Sequence, residues 1–163
     1  MAIVLQPTAS IIARKHFKET IIKGVKLESV KKYLDDEDYE YLCEKYSDGI
    51  AHIWGIKNGK INKIQYGKLC YDETVLFVAN KKIYLSGKIV LFIKNEEMAK
   101  QLWGVDKDGT TWSNTYFVCN LNEQDINVED FNIALGYNQN AKVRGFYVLD
   151  DDQSDIIENT FDL

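Results

Sequence analysis

Proline is almost missing from this chain. Pro7 is the only one in 163 residues, and it marks the start of the first helix expected. No proline-, glycine- or serine-rich linker and no internal repeat interrupts the sequence. Cysteine is also scarce. Cys43, Cys70 and Cys119 cannot all pair within one chain, and none stands in a CxxC spacing, which disfavours a zinc ribbon or a thioredoxin-type motif. The two histidines, His16 and His52, are far apart, so a histidine-rich metal site is excluded and a histidine-based triad has little support. No apolar run approaches the roughly 18 residues of a membrane span. The stretch MAIVLQPTAS lacks the basic and apolar regions of a secretory signal, which points to a cytosolic protein. P-loop, GxGxxG, GxSxG and HExxH patterns are all absent. No enzymatic motif, metal or cofactor is therefore expected, and a binding domain is the better reading.

What is present describes a globular domain. Apolar residues make up 45% and charged residues 28%, too apolar for disorder. The length suits one ordinary domain. The net charge of −5 is unevenly spread. Residues 150–163 carry −6, residues 11–33 carry +5, 34–49 carry −6 and 57–100 carry +5. Bulk acidity thus does not exclude a nucleic-acid partner; what matters is whether the lysines gather on one face or are simply solvated. The acidic tail should repel phosphate and lie away from any binding face.

Residues 8–46 read as helical. Ile11, Ile12, Phe17, Ile21 and Ile22 fall near a 3.6-residue period, with Thr8 or Ser10 as cap. Gly24 interrupts, Leu27 to Leu34 suggests a short helix, and Asp35 or Asp36 caps another carrying Leu42 and Cys43. The run Asp35-Asp36-Glu37-Asp38 reads as a solvated helix start, not a metal site. Asp106-Lys107-Asp108-Gly109 opens like an EF-hand loop but lacks the remaining ligands. Cys43 reads as a buried structural thiol.

From residue 50 the pattern changes to strands. They are expected at 50–56, 74–79, 83–85, 88–93, 115–119 and 143–149, with helices at 96–103, 128–137 and 153–160. Ser86-Gly87 reads as a break. Few, short helices do not suit repeated βαβ units; they suit a strongly bent sheet or small barrel.

The aromatics carry the functional signal. Trp54, Trp103 and Trp112 all lie at element ends beside glycine or turn residues, where a pocket mouth would be built. Trp103 reads as core. Trp54 is followed by the polar turn Lys57-Asn58-Gly59-Lys60, which places its ring near a rim. A pocket for an extruded base needs such rings for stacking, with polar groups to read the base edge.

The stretches AKQLWGVDKDGTTWSNTYFV and FNIALGYNQNAKVRGFYVLDDD resemble the PUA-like superfamily, in particular EVE and YTH-like domains. They are most similar to those that serve as N-terminal specificity modules of McrB-type modification-dependent restriction enzymes. HIWGI and TVLFVANKKIYLSGKIVLFI resemble the family's first strand and following hairpin. The resemblance covers about residues 50–149. It implies an α+β fold: a PUA-like bent barrel or strongly curved sheet of about five to six strands with flanking helices. A helical segment, 1–49, would pack on a main domain, 50–163. It further implies a basic concave surface and an aromatic pocket. Trp54 matches the position of one cage aromatic, Trp112 lies where the other wall is built, and Arg144 falls in a segment that contacts phosphate. Lys57, Lys60, Lys81, Lys82 and Lys142 complete the expected nucleic-acid set. The second cage tryptophan of YTH readers has no clear counterpart between Ile93 and Trp103, which counts against methylated adenine and leaves methylated cytosine, or an RNA ligand, open. The partner expected is nucleic acid, with the motor and nuclease of a restriction complex in other domains or subunits. A protein-interaction module that docks through residues 8–46 is the alternative.

Overall fold

A computed structural model describes residues 1–163. The strands are β1 (Ile3–Pro7), β2 (Val25–Lys26), β3 (Ile50–Ala51), β4 (Ile53–Ile56), β5 (Thr74–Ala79), β6 (Lys82–Lys94), β7 (Asn114–Asn127) and β8 (Tyr147–Val148). The α-helices are α1 (Ile11–Phe17), α2 (Asp36–Lys45), α3 (Lys60–Tyr66), α4 (Glu96–Trp103), α5 (Val128–Ala134) and α6 (Asp151–Phe161). A π-helical turn (Lys18–Ile22) extends α1, and a 3-10 helix spans Leu27–Tyr33. Six strands form one curled sheet in the order β4-β7-β6-β5-β1-β8. Only the β1–β5 pair is parallel. This is the curved α+β architecture expected of the sequence, and no helix is long and apolar enough to cross a membrane.

The expected caps form where their chemistry allows. Ser10 accepts a hydrogen bond from the Ala13 amide at 3.2 Å, and Asp35 accepts one from Asp38 at 2.7 Å. Asn80 and Lys81 both take positive φ (53° and 63°), giving the tight turn that right-handed strand twist favours between β5 and β6.

Several elements depart from the sequence reading. Ile3–Pro7 is a strand inside the sheet, so the sheet draws on both sides of residue 49. Its side chains are buried on both faces: Val4 joins the core that holds Phe77 and Tyr116, while Ile3 and Leu5 join the core of Leu76 and Phe131. Ser86-Gly87 does not break the chain; β6 runs through it. A Cβ on Gly87 would lie 2.3 Å from Val118 Cγ1, so glycine there lets β7 pack close. α3 was not anticipated, and β8 is only two residues long, leaving residues 139–146 as a loop. Cys43 is exposed rather than buried, because α2 turns Leu42 inward instead. α6 is docked by Ile157 in the core and by Ser154, whose hydroxyl accepts the Ile3 amide at 2.9 Å.

Candidate functional site

Four of the eight residues expected to meet nucleic acid converge. Trp54, Lys57, Trp112 and Arg144 line one cavity of about 310 Å³. It opens between the ends of β1 and β4, the helices α1 and α3, and the loop before β8. No aspartate or glutamate lines it. Its volume sits at the lower end of the ~300–1,000 Å³ range of ligand pockets, the size for one planar heterocycle.

Trp54 does not stand at a rim. It is 4% exposed and packs edge-on against Phe17 and Phe77, with centroids 6.0 Å and 6.2 Å away. The polar turn that suggested exposure begins after β4 has left the core. Yet its indole Nε1–H is buried without a hydrogen-bond acceptor. A buried donor left unpaired costs about 1–3 kcal/mol, so it needs a reason to persist.

Trp112 is held differently. It belongs to none of the three apolar cores and lies on the loop that follows α4. The imidazole of His16 meets it edge-on at 4.4 Å. The Lys57 ammonium lies 5.3 Å from its ring centroid. That ammonium is also paired with Asp106, and with Asp108 at 3.2 Å, so Lys57 ties the loop to β4. The hydrogen bond with Asp106 raises the Lys57 pKa and lowers that of Asp106. The Thr110 hydroxyl and amide, followed by Lys57, pull Asp108 down to about 2. Lys57 was expected to meet phosphate; its charge is already met by two carboxylates.

His16 is the residue that sequence reasoning set aside. It is buried at 5% exposure and lies between Trp112 and Trp103, whose centroid is 5.7 Å away. Burial lowers its pKa below the usual 6.5, which keeps the ring neutral at pH 7. The α1 periodicity carried a signal, since Ala13, His16, Phe17 and Thr20 share the inward face. Trp103, expected in the core, is half-buried. Its Nε1–H donates to Thr20 Oγ1 at 3.3 Å, and its ring lies over Gly55, where a Cβ would come within 2.5 Å of it.

The remaining cations are dispersed. Lys142 and Lys81 line a separate hollow of about 610 Å³ beyond the loop, Lys60 opens α3, and Lys82 pairs with Asp125 at 2.5 Å. Charge nonetheless sorts by element. α1 and α3, which flank the cavity, carry Arg14, Lys15, Lys60 and Lys63 and no acid. The other four α-helices each begin with acidic residues. None of residues 150–163 lines the cavity. No group of three or more His, Cys, Asp or Glu side chains is placed to hold a metal ion.

No protein-family model and no curated protein sequence matches the chain. Solved structures do. The N-terminal domain of Thermococcus gammatolerans McrB bound to m5C DNA aligns with a TM-score of 0.71 at 15% identity, covering 99% of this chain and 98% of that one. The YTH domain of Zygosaccharomyces rouxii MRB1 in complex with N6-methyladenosine RNA gives 0.53 at 12% identity, over 98% of this chain and 86% of that one. The Pho92 YTH domain in complex with m6A gives 0.53 at 12% identity, over 99% and 84%. At these identities the likeness is one of fold, and the fold of this chain is PUA-like, shared with YTH domains and the McrB N-terminal domain.

Proposed function

We propose that this protein is a non-catalytic reader of modified bases in nucleic acid. One observation carries the reading: an acid-free cavity lined by Trp54, Trp112 and His16 opens between the two helices that have basic residues and no acids. The fold-level neighbours support it, because one is bound to m5C DNA, one to N6-methyladenosine RNA and one to m6A. A base taken out of its stack would enter the cavity, stack on an indole face and present its edge to the polar groups there. Two polar groups of the lining residues would read that edge, the unpaired Trp54 Nε1–H and the neutral His16 ring. Arg14, Lys15, Lys60, Lys63 and Arg144 would meet the phosphates and fix the register.

The same reading makes the chain the recognition module of a modification-dependent restriction system, with motor and nuclease in other domains or subunits. A single binding assay tests it. Duplex DNA with 5-methylcytosine, the same duplex unmodified, and RNA with and without N6-methyladenosine are titrated against the protein. Preference for one modified ligand is expected. Equal affinity for each modified and unmodified pair removes base reading, and no binding at all leaves a protein-interaction module.

A further inference from the structure

A second cavity adjoins the first. It measures about 640 Å³ and shares Asn62, Arg144, Gly145 and Phe146 with it. It lies between α3, the segment after α5 and the strand β8. Nine of its fourteen lining residues are apolar and none is acidic, in a chain whose net charge is −5. Three of the apolar ones are open to solvent: Ile61 at 71%, Tyr137 at 44% and Tyr147 at 42%. Exposed aromatic faces of this kind are what an unstacked base seeks.

The walls are fixed rather than loose. The Tyr137 hydroxyl accepts a hydrogen bond from Gln153 Nε2 at 2.5 Å. Asn132 Nδ2 donates to the carbonyls of Gln139 (3.2 Å) and Ala141 (2.8 Å), which holds the loop that forms one side. Gln65 Oε1 accepts the Val148 amide at 3.0 Å and fixes α3 against β8. The two cations at this cavity, Lys142 and Arg144, make no ion pair. Arg144 lines both cavities, where the phosphate linking two neighbouring nucleotides has to lie.

We propose that the second cavity takes the nucleobase next to the modified one on the same strand, stacked on Tyr147, with Arg144 on the linking phosphate. This rests on the reading of the first cavity as a base site. The charge supports a nucleic-acid occupant over a protein one: two unpaired cations, no acid, and continuity with a cavity flanked by basic helices. A strand that fills both cavities is unpaired over two nucleotides, so single strands become the better ligand.

Five-nucleotide single strands test this, as DNA with a central 5-methylcytosine and as RNA with a central N6-methyladenosine. Each is also made with an abasic site on one side or the other of the modified base. Removing the base on one side is expected to lower affinity about 5- to 150-fold, the range for one base–aromatic stack. Removing the other should have little effect. Tyr147→Ala should lose the same factor on the intact strand and become indifferent to the abasic site, whereas Tyr147→Phe keeps the parent's behaviour. Because Tyr147 is exposed, both variants should melt with the parent. If modified strands are preferred but neither abasic site matters, the second-cavity proposal is overturned and the first stands. If no modified strand is preferred over its unmodified form, the first reading has failed and this proposal falls with it.

Discussion

The unpaired indole N–H of Trp54 gives the sharpest test of the first cavity. Trp54→Ala is a poor probe. A tryptophan at 4% exposure costs about 3–5 kcal/mol when truncated, and each kcal/mol lowers the midpoint of a domain this size by roughly 2–4 °C. A drop of roughly 6–20 °C would obscure any effect on binding. Trp54→Phe is better. It keeps an aromatic ring against Phe17 and Phe77 while removing the donor. Loss of the smaller ring's packing is destabilising, but deleting an unpaired buried donor returns about 1–3 kcal/mol. The two terms oppose, so the expected change in melting temperature is within a few degrees. Binding should respond differently. An acceptor on the bound base would lose its partner, which at about 1–3 kcal/mol is roughly a 5- to 150-fold loss of affinity. Calorimetry and fluorescence anisotropy with a modified oligonucleotide read both. Unchanged affinity with the fold intact would show that the N–H does not face the ligand. A large fall in melting temperature would show that the unpaired donor does not offset the lost packing.

Four further outcomes follow from the charges. If Arg14, Lys15, Lys60, Lys63, Lys142 and Arg144 meet phosphate, the log–log slope of affinity against salt should be about −5 on duplex DNA and about −4 on single strands; a slope near zero removes nucleic acid altogether. Lys57→Gln and Asp106→Asn should both weaken discrimination of the modified base and leave that slope unchanged, because each frees the loop that carries Trp112; a rise in affinity for Asp106→Asn would instead make Lys57 a phosphate contact. The Asp108 contribution is fully present above about pH 4, its unfolded value, and is lost only as pH falls toward about 2, so the loop should be insensitive to pH from 5 to 8. For His16 the folded pKa lies below 6.5, so stability is full above that value and declines as pH falls through the folded pKa. His16→Phe should flatten that decline, and a profile unchanged by the substitution would place the proton elsewhere.

The sequence revealed its elements unevenly, for physical reasons. α4 was legible because it has one period and clear ends, with Asn95 capping it through Met98 and Gly104 closing it at positive φ, and β5 because its apolar run Thr74–Ala79 stops at the Asn80-Lys81 turn. β1 was not, because its apolar run is only Ile3-Val4-Leu5 with no turn-bounded hairpin partner beside it, and its parallel partner β5 lies some 70 residues away. α3 hid for a different reason. It buries Gln65 and Tyr66 but exposes Ile61 and Ile64, so its two isoleucines face solvent. Its inward side is held by tertiary contacts, the bond from Val148 to Gln65 and the buried Tyr66, whose hydroxyl donates to the Thr115 carbonyl at 2.8 Å. The tryptophans were found as markers of a pocket, but burial is a property of packing, and Trp54 is far deeper than its neighbours in sequence suggested.

Charge shows the same limit more sharply. Counted along the chain, residues 57–100 carry +5 and looked like a single basic stretch. In space that stretch divides. Lys57, Lys82 and Lys100 are paired with acids, and Lys88 donates to Thr74 Oγ1 at 2.6 Å. Lys60 and Lys63 stand on α3, beside the cavity, without an acid on that helix. Their counterparts, Arg14 and Lys15, lie on the other side, from a segment whose +5 is separated from theirs by the acidic α2. Short-range pairing removes part of the linear signal, because a carboxylate within 4 Å cancels a lysine for any distant phosphate. What survives is the pair of helices that frame one acid-free cavity, and it is their meeting across the fold, rather than any run of lysines, that marks the surface for an anionic polymer.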